Sequence, residues 1–429
     1  MKSNRRHFIS TAVTGGLAAS IPLSSCGTDN TKPPPDVVSE KYQKLDQILL
    51  KPVFKKELFP EPVFIETIEL LRFENSFLCR VRSSNGAEGV SVGHGTLGSL
   101  YPIFINLVQP FFIHKDARDL DLILERVYIY KLNFRLSGLA LGIPLATLEF
   151  AILDMMGRMA GKTLGELIGD IHHPEVEVYQ ATEYREKPVE ESMELITRDV
   201  NENNARALKI KVGGLMFETG DLHAVAPPGR TETMIPLVRK TFGDEMVLYA
   251  DANGFYSVDE AIRTGKLLEQ YNYRFFEEPV PFHWYEETKQ VADSLSIPVA
   301  GGEQEFSLHG FRWLIASNGL QVVQPDIFYF GGMIRSMKVA MMAAAYGIPC
   351  TPHMSGGDLG FLYMMHFVSV LPNAMPHHEF KGFRTNIEFE CATSPLQSVN
   401  GVVKVPTGPG SGVEIDPGFM RKFKMIQPG

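Results

Sequence analysis

Four acidic residues stand at near-equal intervals in the second half of this 429-residue chain, each at the end of an apolar run. They are Asp251, Glu277, Glu303 and Asp326, and the steps between them are 26, 26 and 23 residues. A β-strand, a helix and two short loops occupy about that length, so the spacing predicts successive βα units of a parallel barrel. Residues at the carboxyl ends of such strands point into one shared mouth, where catalysis takes place in this architecture.

A metal ion in that mouth fits both the pattern and the composition. Three carboxylates that converge there offer hard oxygen ligands, which favour Mg²⁺ over other metals. The formal net charge of −9 and the pI of about 5.8 argue against nucleic acid as a partner. A small-molecule carboxylate substrate would therefore need a local cation, because the field of the whole protein repels anions.

Eight candidate strands follow residue 174, and eight is the number that a closed barrel requires. Segments with the residue pattern of helices lie between most of them. The candidate strands are VEVYQAT, ALKIKV, MVLYAD, YRFFE, PVAGGE, QVVQPD, GIPCTPH and PHHEF. One interval is irregular, with 40 residues from Lys211 to Asp251. It contains a stretch rich in Gly and Pro at 215–233, which we expect to be an enlarged loop over the barrel mouth.

The sequence that precedes the predicted barrel indicates a separate α+β domain. Residues 64–95 contain apolar strands with an Asn85-Gly86 turn, which is a hairpin signal. From about residue 120 to 168 the spacing of apolar residues becomes that of helices. The two predicted helical segments are PLATLEFAILDMMGRM and KTLGELIG, with a break at Gly161. The predicted units are a signal at 1–26, a tether and N-terminal extension at 27–61, the α+β capping domain at 62–174, the barrel at 175–395 and a C-terminal segment returning to the cap at 396–429.

The N-terminus has the pattern of an export signal. Arg5-Arg6 and its neighbours match the twin-arginine motif, and a weakly apolar stretch follows from Thr11 to Leu23. Leu23-Ser24-Ser25-Cys26 resembles a lipoprotein cleavage box. The apolar stretch is too short and too polar for a stable span. We expect twin-arginine export to the periplasm, with the membrane reached only through a lipid on Cys26. The alternative is an N-terminus that contains Arg5-Arg6 by chance.

Two lysines alternate along one candidate strand, in Lys209-Ile210-Lys211, so both lie on the same face. If that face looks into the mouth, two ammonium groups sit near the metal. Burial and mutual repulsion would then lower their pKa values toward neutrality, as a general base requires. The alternative is a solvated pair on an edge strand, but a closed barrel has no edge.

His353 ends the strand that follows Asp326, and a carboxylate one strand away can hold an imidazole by its Nδ1–H. This predicts a dyad in which Nε2 of His353 handles protons. Glu379, at the end of the eighth candidate strand, either binds substrate or is a salt-bridged core carboxylate. Asn253 shares the face of Asp251 and could bond to a water on the metal.

These residues and their neighbours resemble the enolase superfamily, and within it the mandelate racemase and muconate lactonizing enzyme family, over about residues 62 to 418. The resemblance is carried by eight motifs in the right order, namely Ala151-Ile-Leu-Asp154-Met-Met-Gly157-Arg158, Lys-x-Lys, Asp-Ala-Asn-Gly, Glu-Glu-Pro, Gly-Gly-Glu, Gln-Pro-Asp, Pro-His and the tail from Gly408 to Asp416. It implies a modified TIM barrel under an α+β cap, completed by the C-terminal segment.

The resemblance also implies a chemistry. One Mg²⁺ would be bound by Asp251, Glu277 and Glu303, and a proton would be removed α to a carboxylate. Lys211 and His353 would face opposite sides of the α-carbon, with Lys209 near the developing charge. Two opposed bases permit inversion of configuration, and one base with one acid permits elimination of a β-hydroxyl as water.

The chain departs from this family in two places. The connection between its first two strands, near Arg72 to Asn75, is short, whereas the family usually has a long mobile loop there. The stretch at 215–233 is unusually long and could compensate. Both changes alter loops that determine substrate specificity in the family, so no particular substrate follows from the resemblance.

Three functions remain in competition. We favour a dehydratase that converts a sugar acid to a 2-keto product, because the dyad with Lys-x-Lys serves dehydration widely. The alternative is a racemase or epimerase of a hydroxy acid or amino-acid derivative. The third is an exported binding lipoprotein without turnover, although a binder has no need of opposed bases. We also expect the protein to be a homo-oligomer.

Overall fold

The structure, a computed structural model, describes residues 37–427 apart from 217–225, Asp358 and Arg384. The predicted export signal and its cleavage box at Cys26 therefore lie outside the described residues. The described chain folds in order into an N-terminal helix, a capping domain, a barrel and a C-terminal segment.

The N-terminal helix α1 (Val37–Leu49) falls within the predicted extension at 27–61. It is amphipathic, and Leu45 and Ile48 on one face are buried against two helices of the barrel. Its other contacts to the barrel are polar, since the Lys41 ammonium donates to the carbonyl of Ala316 at 2.8 Å. This part of the extension is therefore a packed element of the fold.

The capping domain combines a three-stranded antiparallel meander with helices. Asn85-Gly86 forms the predicted turn between the second and third strands, with Gly86 at φ +88°. The turn from Phe73 to Ser76 is tight, as the short sequence there predicts. The elements are β1 (Ile65–Phe73), β2 (Ser76–Ser83), β3 (Glu88–Val92), α2 (Leu97–Ile103), α3 (Gln109–Phe112), α4 (Leu120–Arg126) and α5 (Leu139–Ala160), with a π-helical turn at Phe104–Val108 and 3₁₀ turns at Lys56–Leu58, Ala117–Asp119, Tyr130–Leu136 and Gly165–Leu167.

Helix α5 is the central helix of the cap. It is apolar enough to pass for a membrane span by length and composition, but 89 % of its apolar window is buried inside the protein, as in a core helix. Strand β3 approaches it so closely that a Cβ on Gly89 would lie 2.2 Å from the Met155 nitrogen. The helix ends at Gly161 in the left-handed conformation, as predicted. The second predicted helix, KTLGELIG, is only a 3₁₀ turn.

The barrel is a curled parallel sheet with helices on its outside. Its strands lie side by side in the order His378–Phe380, Glu175–Ala181, Ala207–Lys211, Val247–Asp251, Tyr273–Glu277, Val299–Gly301 and Val322–Val323, and parallel bridges from Val323 to Cys350 and from Cys350 to Ala374 stand where the seventh candidate strand was predicted. The elements are β4 (Glu175–Ala181), α6 (Val189–Glu202), β5 (Ala207–Lys211), α7 (Arg230–Phe242), β6 (Val247–Asp251), α8 (Val258–Gln270), β7 (Tyr273–Glu277), α9 (Tyr285–Ser294), β8 (Val299–Gly301), α10 (Leu308–Ser317), β9 (Val322–Val323), α11 (Met333–Ala344), α12 (Gly360–Ser369) and β10 (His378–Phe380).

Aromatic side chains fill the barrel interior beneath the mouth. The Tyr249 and Phe275 rings stack with centroids 4.3 Å apart, and Tyr179 packs beside Tyr249 at 5.3 Å. All three are buried, and burial of each ring contributes about 2 kcal/mol to stability. This plug excludes water from below, so charged groups at the strand ends above it sit in a medium of low dielectric constant.

The C-terminal segment contacts both parts of the molecule. Its elements are β11 (Phe389–Glu390), β12 (Val402–Lys404), β13 (Glu414–Ile415), α13 (Pro417–Met420) and β14 (Lys424–Met425). Strand β12 pairs with barrel strand β4, whereas Ser411 donates its backbone N–H to Asp154 of α5 and β14 pairs with β1. Backbone hydrogen bonds to the cap thus begin at about residue 410, whereas β12 pairs with the barrel and Leu396 belongs to an apolar cluster that includes Leu71 and Leu78 of the cap.

The enlarged interval between β5 and β6 falls only partly within the described chain. Residues 217–225 of the predicted loop lie outside the described residues. Arg230 to Thr233, predicted as loop, form the first turn of α7.

Candidate active site

Three carboxylates from consecutive barrel strands come together in the mouth. Asp251 and Glu277 are the last residues of β6 and β7, and Glu303 follows β8 by two residues. One oxygen from each lies within 4.8 Å of the other two, and all three side chains are buried. The equal sequence spacing thus becomes a single cluster, because each βα unit returns the chain to the same end of the barrel.

The cluster has the properties of a site for a divalent cation. Oε2 of Glu303 is buried and has no hydrogen-bond partner among the described residues, although Nε2 of His353 lies 3.4 Å away. Burial and the charge of Asp251 raise the pKa of Glu277 to about 8. Carboxylates that repel one another in a dry pocket are stabilised by a shared cation, and an all-oxygen set suits a hard one.

Lys209 stands at the centre of this cluster. Its Nζ lies 2.8 Å and 3.0 Å from the two oxygens of Glu277 and 5.1 Å from the centre of the Tyr179 ring. Glu379 and Asp251 lie at 3.6 Å and 3.9 Å. The side chain is 1 % exposed, so its charge is fixed beside the carboxylate cluster.

Lys211 lies nearer the rim and is bonded to two neighbours. Its Nζ donates to Oδ2 of Asp251 at 2.5 Å and to Oδ1 of Asn253 at 3.0 Å. Asn253 in turn donates its backbone N–H to Oδ1 of Asp251 at 2.8 Å. The structure thus places Asn253 against Lys211 and Asp251, and it fixes the Lys211 side chain beside the carboxylate cluster.

The predicted pKa values of these lysines are wrong for this structure. Burial does act to lower the pKa of Lys209 and of Lys211, as argued from sequence. The carboxylates outweigh it, however, and the pKa of Lys209 stands well above its ordinary value while that of Lys211 is also raised. The sequence shows that the two lysines share a face, but it does not show that each ammonium would contact a carboxylate.

His353 and Asp326 form the predicted pair. Nδ1 of His353 lies 2.7 Å from Oδ2 of Asp326, which leaves Nε2 facing Glu303. Asp326 also accepts backbone N–H bonds from Phe328, Tyr329 and Ser355 at 2.8 to 3.0 Å. With four hydrogen bonds, Asp326 is occupied as an orienting carboxylate.

The charge of the imidazole follows from its surroundings. Burial opposes a charge on His353, but Glu303, Glu379 and Asp326 favour it and raise its pKa to about 9. In this arrangement the ring is an imidazolium at neutral pH, with a proton on Nε2 that points toward the cluster.

Glu379 lies in a network of ions rather than at an open surface. It is 1 % exposed, its Oε2 accepts the backbone N–H of Met354 at 2.9 Å, and Lys209, Lys381 and His353 lie within 3.8 Å. These cations hold the Glu379 pKa below its usual range even though burial raises it. This geometry corresponds to the salt-bridged core carboxylate that the sequence left open as an alternative.

Four residues near the site were missed from the sequence. Gln324 donates Nε2 to Oε2 of Glu277 at 2.9 Å, and Lys381 lies 2.8 Å from Glu183. Both stand two residues from a predicted site residue, so alternation along the strand would have found them. Arg185, four residues beyond β4, donates to Asn253. His94 of the cap has no such signal, because only the tertiary fold brings it to the barrel.

His94 connects the cap to the mouth. Its Nε2 lies 3.2 Å from the Ser355 carbonyl, while the Thr96 backbone N–H donates to Nδ1 at 3.1 Å. Burial lowers the pKa of His94, so the ring is neutral with its proton on Nε2. Its ring packs 5.5 Å from Phe328 and 5.7 Å from Tyr329. The cap residue therefore braces the loops that carry Asp326 and His353.

The arrangement can move protons on two sides of one bound acid. Lys211 contacts Asp251 at one end of the carboxylate cluster, and His353 stands beside Glu303 at the other end. A carboxylate substrate held at the cluster would have one nitrogen group on each side. Such a site can remove a proton from carbon and deliver one to a leaving group or to the opposite face.

Comparison with known proteins agrees with this geometry. A family profile described as "Enolase C-terminal domain-like" matches residues 191–419. The chain is 24 % identical over 336 residues to the arabinonate dehydratase of Saccharolobus solfataricus, an alignment that spans 78 % of this chain and 86 % of that protein. It is 29 % identical over 330 residues to the D-galactarolactone cycloisomerase of Agrobacterium fabrum, with 74 % and 83 % covered.

A solved structure extends the similarity to the cap. The mandelate racemase/muconate lactonizing protein from Paracoccus denitrificans, complexed with magnesium, superposes with a TM-score of 0.75 at 25 % identity. The match covers 86 % of this chain and 100 % of that one, so it includes the barrel and the domain above it.

Proposed function

Because this chain belongs to the enolase superfamily, among the mandelate racemase and muconate lactonizing enzymes, we propose that it removes the proton α to a carboxylate and dehydrates a sugar acid to a 2-keto product. The observation that carries the proposal is the pair of nitrogen groups, Lys211 and His353, on two sides of one buried carboxylate cluster. Dehydratases and a cycloisomerase among its relatives support it.

The proposed cofactor is Mg²⁺, held by Asp251, Glu277 and Glu303. The buried Oε2 of Glu303, which has no hydrogen-bond partner among the described residues, and the raised pKa of Glu277 both fit a cation among these groups, and the Paracoccus neighbour was solved with magnesium. When bound, the ion supplies positive charge that offsets the second negative charge of an ionised carbon acid. Lys209 adds a fixed positive charge on the same side of the cluster.

In the proposed elimination, Lys211 takes the α-proton onto Nζ in its neutral form. Burial favours that neutral amine, whereas the contact to Asp251 opposes it. His353 gives the proton on Nε2 to the β-hydroxyl, the C–O bond breaks, and water leaves. The resulting enol becomes the 2-keto acid by tautomerisation. Asp326 keeps Nδ1 of His353 protonated throughout, so the ring always delivers its proton from Nε2.

The test is a screen of acid sugars for 2-keto products in D₂O, with mass spectrometry of recovered substrate. Dehydration predicts a 2-keto product. The second candidate, a racemase or epimerase, is favoured by the same opposed groups, and it predicts deuterium at the α-carbon of recovered acid without loss of water. Absence of both keto product and α-deuterium across the library would contradict proton abstraction altogether.

We also propose that the protein is exported by the twin-arginine route to the periplasm and anchored by a lipid on Cys26. The supporting observation is that the twin-arginine motif at Arg5-Arg6 and the cleavage box at Cys26 follow one another within one N-terminal segment. Arg5-Arg6→Lys-Lys should leave the protein in the cytoplasm, and Cys26→Ser should release it from the membrane fraction. Unchanged localisation of both variants would contradict the proposal and leave the barrel chemistry intact. Light scattering of the released variant tests the proposed homo-oligomer.

A further inference from the structure

Arg185 is a buried guanidinium at the barrel mouth with most of its donors unused. It follows β4 by four residues and is 5 % exposed. One N–H of Nη2 donates to Oδ1 of Asn253 at 2.7 Å. Nε and Nη1 are closed off from solvent and have no hydrogen-bond partner in the described part of the chain. Buried donors of a charged group are costly to leave unpaired, so this geometry indicates a missing acceptor.

The other cations of the mouth each contact a carboxylate. These pairs are Lys209 with Glu277, Lys211 with Asp251, Lys381 with Glu183 and His353 with Asp326. Arg185 forms no ion pair with any carboxylate that the structure describes. Asp251 interacts with Arg185 electrostatically, but no described carboxylate accepts from its Nε or Nη1, so an anionic acceptor suits this guanidinium better than a neutral hydroxyl.

A second buried arginine fixes the loop that carries Arg185 without neutralising it. Arg230 donates to the carbonyls of Tyr184, Lys187 and Lys211 at 2.8 to 3.2 Å and to the hydroxyl of Ser192 at 3.1 Å. These acceptors are all uncharged. Two guanidinium groups close enough to repel thus create a positive region beside Lys211, and the charge of Arg185 contributes to a lowered pKa of Arg230 after burial.

The position of this region relates it to the reaction. Lys211 and Arg185 donate to the same oxygen of Asn253, at 3.0 Å and 2.7 Å. Lys211 contacts Asp251 of the carboxylate cluster. Arg185 is separated from Lys211 by the Oδ1 atom of Asn253, to which both side chains donate. A carbon chain whose α-carbon stands beside Lys211 can therefore have its first carboxylate at the cluster and its far end at Arg185.

We propose that Arg185 binds a second carboxylate at the far end of the substrate, so the acid consumed by this enzyme is a sugar diacid. The inference rests on the proposed function for the position of the first carboxylate. A planar guanidinium binds both oxygens of a carboxylate through neighbouring N–H groups. The protein has a formal net charge of −9, so a dianion needs local cations of this kind.

The test compares acids that differ only at C6, galactarate with galactonate and glucarate with gluconate. The variants are Arg185→Met and Arg185→Lys, with Arg206→Met as the matched control, because Arg206 is exposed at the opposite end of β5. We expect the wild type to favour the diacid. Arg185→Met should lower kcat/KM for the diacid about 100-fold more than for the monoacid, mainly through KM, because the contact to Asn253 is lost with both acids but the contact to a second carboxylate only with the diacid. Arg185→Lys should recover part of the loss.

Two results would overturn the inference: a wild-type preference for the monoacid, or an equal loss for both acids in Arg185→Met. Calorimetric titration of Mg²⁺-loaded protein with each acid distinguishes failure of the Arg185 inference from failure of the proposed function. If no acid is turned over but galactarate or glucarate binds about 100-fold more weakly to Arg185→Met than to Arg206→Met, the proposed function fails and the Arg185 site stands. If turnover is seen and this difference in binding is absent, the site fails and the function stands.

Discussion

The two proposed proton carriers at the mouth, Lys211 and His353, are held in different ways. Lys211 donates to Asp251, which belongs to the carboxylate cluster, and to Asn253, which it shares with Arg185. His353 is held on Nδ1 by Asp326, whose other three hydrogen bonds all come from backbone N–H groups. Lys211 is therefore held by groups that would also contact the proposed metal and substrate, whereas the orientation of His353 is set by the fold.

This difference separates two tasks. A group that must become neutral to accept a proton has to respond to what is bound, and the contact of Lys211 with a metal-ligand candidate provides that response. A group that delivers a proton to a defined atom needs a fixed tautomer and a fixed direction. Changes to the cluster should thus alter Lys211 strongly, and changes to Asp326 should alter His353 alone.

The largest expected effect comes from the cluster itself. Asp251→Asn, Glu277→Gln and Glu303→Gln should each lower turnover by roughly 10⁴-fold or more, since each removes a charge from the metal site. EDTA should abolish activity and Mg²⁺ should restore it. Turnover and Mg²⁺ affinity, measured by calorimetry, should fall together in all three variants. Full activity of metal-free wild type would contradict the assignment of these ligands.

Removal of either proton carrier should cost somewhat less, about 10³-fold in turnover, as is usual for a general acid or base. Lys211→Ala should abolish exchange of the α-proton with D₂O from one face. His353→Asn should leave exchange measurable while water elimination stops, if the ring acts as the acid. NMR of recovered substrate separates exchange from elimination. Equal loss of exchange in both variants would show that Lys211 and His353 do not act separately as base and acid.

The orienting carboxylate gives a sharper test of the comparison. Asp326→Asn should lower turnover by about 10²- to 10³-fold, because an amide cannot hold the same tautomer of His353. Mg²⁺ affinity should stay nearly unchanged, in contrast to Asp251→Asn. Both quantities can be followed in one titration. A parallel loss of metal binding would instead make Asp326 part of the metal site.

The smallest effect concerns stability in metal-free protein. The pKa of His353 is raised from about 6.5 to about 9, so the charged ring stabilises the fold fully below pH 6.5. That contribution, about 3 kcal/mol, is lost as the pH rises through 9. Between pH 6.5 and 9.5, urea unfolding of the EDTA-treated wild type should show a loss about 3 kcal/mol larger than that of His353→Asn, which keeps the loss below pH 8 from Glu277 and Glu149, whose pKa values are raised to about 8. Lys211, whose pKa is raised above 10.5, should contribute no slope there.

Much of this site was predictable because it repeats with the barrel. Asp251, Glu277 and Glu303 each follow an apolar strand, and Lys209 and Lys211 alternate on another, so period and spacing place them in one mouth. Local rules also gave the Asn85-Gly86 turn. The pKa values of the lysines were wrong because they depend on distances of a few ångströms between side chains on different strands.

Other features had weaker signals or none. Helix α1 was not predicted, although Leu45 and Ile48 have helical spacing, because the Pro-rich text before it suggested only a tether. The position of Arg185 depends on a loop held by Arg230, which is 45 residues further along the chain. His94 reaches the barrel only through the packing of two domains, which no pattern within one strand or helix can show.

The contact of His94 with the Ser355 carbonyl has a consequence for protein engineering. Caps are attractive parts to exchange between related barrels, since they form one wall above the reacting groups. Here the backbone N–H of Ser355 donates to Asp326, and its carbonyl faces the cap histidine. A chimaera that imports a foreign cap would thus disturb the direction in which His353 presents its proton. A recombination library should transfer the segment around His94 and the loop around Ser355 together, as one module.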